Sequence, residues 1–94
     1  MTASIGVTQT RGGDPLAFEV VITEGKTRTR HDVTMALEDR RRLAQGASAE
    51  ALIEAAFRFL LDREPKEAIL ARFDVSVISG YFPEFEKRLP DYLR

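Results

Sequence analysis

"LAFEVVITEGKTRTRHDVTM", residues 16–35, is the stretch on which the fold turns. Its first half alternates, with Leu16, Phe18, Val20 and Ile22 on one face and Ala17, Glu19, Val21 and Thr23 on the other. That is the period-two pattern of a half-buried strand. Glu24-Gly25-Lys26 then reads as a tight turn, Gly25 supplying the positive φ that a short hairpin loop needs. Alternation resumes beyond it: Thr29, His31, Val33 and Met35 share one face, and Arg28, Arg30, Asp32 and Thr34 share the other. Two such runs about a glycine turn predict a β-hairpin with one apolar face. A lone hairpin is marginal in water, so helices must cover that face.

Going toward the C-terminus, "ALEDRRRLAQG" has helix formers and a stop at Gly46, but few apolar positions beyond Leu37 and Leu43. Ser48 is the N-cap of a stronger helix, in which Leu52, Ile53, Ala56, Phe57, Leu60 and Leu61 form a broad apolar stripe. This helix is expected to be the spine of the core. Pro65 ends it and opens a further helix over "PKEAILARF", with Ile69, Leu70 and Phe73 buried. Asp74 caps a short turn over "VSVIS", Gly80 ends that turn, and a last short helix runs from Pro83 to Pro90. Toward the N-terminus, residues 1–15 are polar, end in "GGDP" and read as a flexible tail. Residues 16–94 are then a single globular domain. Its expected class is α+β, an N-terminal β-hairpin packed on a bundle of four or five helices, two of them short.

Composition narrows the classes of function. Ninety-four residues suit one core. The chain has no cysteine, which removes disulfides and thiolate metal sites and suits a reducing cytoplasm. It has no signal-peptide pattern and no long uncharged apolar run, so no membrane is expected as a partner. Fourteen basic against fifteen acidic side chains leave a net charge of −1, unlike the electrostatic footprint of a nucleic-acid binder.

Catalytic means are thin. His31 is the only histidine, and it lies on the apolar-facing side of the hairpin, where a core histidine is the expectation. One histidine without cysteine does not make a zinc site, and "RGGDP" lacks the strand, lysine and hydroxyl of a phosphate loop. Asp62, Glu64 and Glu67 alternate with Arg63 and Lys66 in "DREPKE", which reads as a solvated, ion-paired corner. No catalytic residue, cofactor or metal is expected.

"RFDVSVISGYFPEFE", residues 72–86, concentrates aromatic residues behind a helix pattern. As a helix-turn-helix it fails: about two turns at most precede Gly80 and Pro83, and no Arg, Lys, Gln or Asn stands there to read a base. Its aromatics are too many for a short, broken chain to leave in water, so most must close the core. Tyr81, Phe82, Phe85 and Tyr92 are the candidates for a partly exposed docking patch, and Arg40, Arg41 and Arg42 form a separate basic face for an acidic partner.

Two resemblances bear on these residues. From Phe59 onward, "FLLDREPKEAILARFDVSVISGYFPEFE" resembles a group of small uncharacterised bacterial proteins that join a β-hairpin start to an "FLL-x-REPKE-x-IL…FD-x-x-VI…YFPE" segment. That likeness implies a complete small protein and brings no activity. Residues 28–63 resemble, more weakly, the ribbon-helix-helix pattern of strand, short helix, Gly-x-Ser joint and longer helix. By that resemblance Arg28, Arg30 and Asp32 or Thr34 would face DNA bases, and Ser48 with the amides of Ala49 and Glu50 would hold a phosphate. This strand already has a hairpin partner, its first helix is short for the family, and Asp32 and Glu50 stand where DNA would dock. The leading expectation is a non-catalytic protein-interaction module, binding another protein or itself as a homodimer. The alternative is a ribbon-helix-helix-like DNA-binding regulator.

Overall fold

The computed structural model describes residues 3–93. Strands β1 (Ser4–Arg11), β2 (Leu16–Glu24), β3 (Thr27–Met35) and β4 (Arg72–Asp74) form one sheet in the order β1-β2-β3-β4. Helices α1 (Leu37–Ala44) and α2 (Ala49–Leu61) connect β3 to β4, and α3 (Ser76–Tyr81) and α4 (Phe85–Tyr92) follow. The architecture is α+β, but it is a mixed four-stranded sheet with helices and not a hairpin on a helical bundle.

The hairpin is present, with Val20 opposite His31 and Glu24 opposite Thr27 around the turn, where Gly25 has a φ of 60°. Two additions change the architecture. The segment expected to be a tail supplies β1, antiparallel to β2, with Ile5 opposite Ile22 and Val7 opposite Val20. Ile5 and Val7 are half-buried and pack against the core, so two apolar residues at period two within a polar segment suffice once a strand edge is offered to them. The second addition is β4. In place of the helix expected from Pro65, Lys66–Ala68 make a single 3₁₀ turn and Arg72–Asp74 run parallel to β3. Asp32 N–H donates to the Ala71 carbonyl at 2.8 Å and Val75 N–H to the Thr34 carbonyl at 2.9 Å. Phe73, opposite Val33, packs half-buried against the core as a helix would also have placed it, and what the strand adds is the satisfaction of β3's backbone edge.

The helix α2 is the centre of the molecule. Ser48 caps it, its hydroxyl accepting from Ala51 N–H at 3.1 Å. It buries the predicted stripe except Leu61, which is half-buried, and adds Ala49, Ala55 and Phe59, because it is covered on two sides. Phe57 faces the sheet, 5.5 Å from the His31 ring and 5.9 Å from Phe73. Phe59 faces the C-terminal aromatics, with Phe85, Tyr92 and Phe82 at 5.0, 5.8 and 5.9 Å. The sheet's other face, with Glu19, Arg28, Arg30 and Asp32, stays at the surface. Among the described residues no helix is long and apolar enough to cross a membrane.

Candidate functional site

The corner between α2 and α3 decides where an apolar surface is left open. His31 is 2% exposed, and both ring nitrogens are engaged. Its Nδ1 must donate to the Leu70 carbonyl, 2.7 Å away, because a carbonyl only accepts; its Nε2 lies 2.9 Å from the Thr29 hydroxyl. The ring therefore pins the chain at Leu70 to β3 and leaves no nitrogen free for a substrate proton. Lys66, 3% exposed, holds the same corner from the other end, its Nζ donating to Glu67 and, at 3.4 Å, to Glu24 at the end of β2. The Glu67 hydrogen bond is the main reason that the ammonium titrates above its ordinary range.

Held this way, the segment from Ala68 to Phe73 stands away from α3 and leaves an open cleft of about 260 Å³. Leu60, Ile69 and Ile78 form its floor; Leu70, Phe73, Val77, Tyr81 and Phe82 form its walls. Leu70 is 46%, Val77 36% and Tyr81 68% exposed. Glu64 also lines the cleft, half-buried, and its carboxylate makes no ion pair or hydrogen bond among the described residues. The neighbouring charges are committed elsewhere. Arg63 bonds Glu84 at 3.0 Å and lies 3.6 Å over the Phe59 ring, and Asp62 accepts from the Tyr92 hydroxyl at 2.6 Å.

The predicted aromatic patch is thus divided. Tyr81 and Phe82 line the cleft. Phe85 is 1% exposed and belongs to the core, because α4 turns it onto Phe59. Tyr92 is half-buried on the same ring, with its hydroxyl tied to Asp62. Leu70, Val77 and Glu64 are the cleft residues that the sequence reading missed. A helix over residues 65–73 would have buried Leu70; the alternation in Arg72-Phe73-Asp74 was the available signal for a strand instead. Of the basic face, Arg42 joins Asp39 at 2.9 Å and Glu86 of α4, which ties α1 to α4, while Arg41 is exposed and Arg40 half-buried.

The residues of the DNA-binding alternative are engaged within the chain or lie apart. Arg30 pairs with Glu19 at 2.7 Å, the Thr34 hydroxyl donates to Asp74 at 2.6 Å, Ser48 caps α2, and Arg28 is exposed on the sheet. On one side β2 pairs along the whole of β3, and on the other β4 covers Asp32, Val33 and Thr34. A second β3 would find only residues 27–30 of that edge uncovered, too short a stretch for the full strand pairing that the resemblance implies. Among the described residues no three His, Asp or Glu side chains gather where a metal could bind. No family model, curated protein or solved structure matches the chain, so its function is argued from this geometry.

Proposed function

We propose that the chain is a non-catalytic protein-interaction module that seats a short apolar segment of a partner protein in the cleft, with a lysine or arginine of that segment against Glu64. One observation carries the reading: Leu70, Val77 and Tyr81, the large apolar side chains left exposed among the described residues, all line this one cleft. Scattered exposed apolar residues are ordinary, but their convergence on a concave site is what partner anchors use. Enclosed ligand pockets usually run from roughly 300 to 1,000 Å³. At about 260 Å³ and open to solvent, the cleft suits a few side chains of a segment better than a small molecule. Glu64 supplies the charge complementarity, since its half-buried carboxylate, without a partner among the described residues, gains from an arriving cation.

The test is selection from a random peptide-display library, followed by titration of the selected peptides. The expected winners carry two spaced apolar anchors and a basic residue. They lose at least tenfold in affinity on Val77→Asp, a change at a 36% exposed position that leaves the core alone. Glu64→Gln weakens them by about tenfold, the value of one charged contact. Winners that bind wild type and Val77→Asp equally well would overturn the reading.

A further inference from the structure

The two edges of the sheet are treated differently. The edge opposite β1 is broken and charged: β4 supplies three residues, with Arg72 and Asp74 flanking Phe73, and residues 27–30 of β3, which β4 leaves uncovered, carry Arg28 and Arg30. Short, charged edges are the usual protection against unwanted strand pairing. The β1 edge has eight residues, Ser4–Arg11, paired to β2 on one side only. Its only charge is Arg11 at the far end, and it contains no proline. The irregularity that bends it falls between Gln9 and Arg11, so Ser4 to Gln9 keep an unbroken register with β2. Along this run Ile5 and Val7 lean on the core while staying half-buried, their outer flanks uncovered by any element among the described residues.

We propose that β1 pairs antiparallel with β1 of a second copy of this chain across a two-fold axis, joining two sheets into one of eight strands. A second copy fits where other occupants fit less well. The run Ser4–Gln9 is uncharged, so pairing it with itself sets no like charges opposite one another, while Ile5 and Val7 from both copies lie side by side on the core face. Head-to-tail growth is opposed, because the opposite edge consists of the three residues of β4, with Arg72 and Asp74, and of residues 27–30 of β3, with Arg28 and Arg30, charges that disfavour strand pairing. The contact therefore closes as an isologous dimer. It uses a different element from the cleft and is independent of that reading.

Ser4 and Gly6 allow a direct test. Both are exposed, a Cβ at Gly6 meets nothing nearer than the Val21 carbonyl oxygen at 3.9 Å, and the residues opposite them on β2 are the uncharged Thr23 and Val21. Sedimentation equilibrium should find the wild type dimeric. Ser4→Lys/Gly6→Lys and Ser4→Glu/Gly6→Glu should each be monomeric at the same concentration, since like charges then meet across the axis. Mixing the two should restore a dimer, which also proves that both variants are folded. Val77→Asp should leave self-association unchanged. A wild type that stays monomeric, a dimer indifferent to both charge pairs, or variants that do not re-associate on mixing would each overturn the proposal.

Discussion

Asp74 accepts from the Thr34 hydroxyl at 2.6 Å and from the Ser76 hydroxyl and amide at 2.7 and 3.1 Å, so it ties β3, β4 and the start of α3 together. Burial works against its ionisation, but these hydrogen bonds outweigh it and hold the carboxyl below its usual range. A depressed folded pKa stabilises the fold above the unfolded value, near pH ~3.9, and that contribution is lost as pH falls through the lower, folded value. Asp74→Asn should therefore cost about 1–2 kcal/mol at neutral pH, with the gap from wild type closing in acid below about pH 4. Urea unfolding at neutral pH and in acid measures this; a gap that does not change with pH would contradict it. His31 makes the other long-range tie. His31→Phe keeps an aromatic ring beside Phe57 but leaves the Leu70 carbonyl and the Thr29 hydroxyl without their partner. A loss of about 1–3 kcal/mol is expected in denaturant unfolding, together with faster amide exchange around Leu70. The local half of the Asp74 tie, to the Ser76 amide two residues on, is the cap read from the sequence. The bonds to Thr34 and, for His31, to Leu70 were not legible, since those partners lie 40 and 39 residues away.

At the scale of elements, α2 was the most legible part because its evidence is local: a serine cap, an apolar stripe and a proline beyond its end. Ser48→Ala should cost about 1 kcal/mol through the lost cap, read from the urea midpoint. The second buried side of α2 was less legible, because nothing in its own periodicity says that α4 covers Phe59. Phe59→Ala is expected to cost about 3–5 kcal/mol, a cavity beneath three aromatic rings and the Arg63 guanidinium. Circular dichroism and urea unfolding would show it, and a loss under about 1 kcal/mol would mean that this cluster is not a core. The strands β1 and β4 were misread for a shared reason. Each takes its backbone partners from a distant strand, whereas the polar composition of residues 1–15 and the helix propensity after Pro65 are local signals that favour other conformations.

Over the whole molecule, the cleft follows from replacing a predicted helix with a 3₁₀ turn and a strand. Extended chain covers less of α2 and α3 than a helix would, and Leu70, Val77 and Tyr81 are left at the surface. Replacing Val77 with Asp should abolish most peptide binding while costing only about 1 kcal/mol of stability, the part of its side chain that is covered at a 36% exposed position. Thermal melts and titrations on one preparation separate the two effects. The sequence by itself determined the β2–β3 hairpin, the capped central helix, the apolar faces of both, and an inventory of one histidine and no cysteine. These depend on periodicity, turn chemistry and residue inventory, which act over a few positions. Only the tertiary structure decided that the hairpin becomes the middle of a four-stranded sheet, that Phe85 is core while Leu70 is surface, and that His31 holds the edge of the cleft. Those outcomes depend on which distant segment satisfies a strand's backbone hydrogen bonds and fills the space over α2, a competition settled between parts of the chain far apart in sequence.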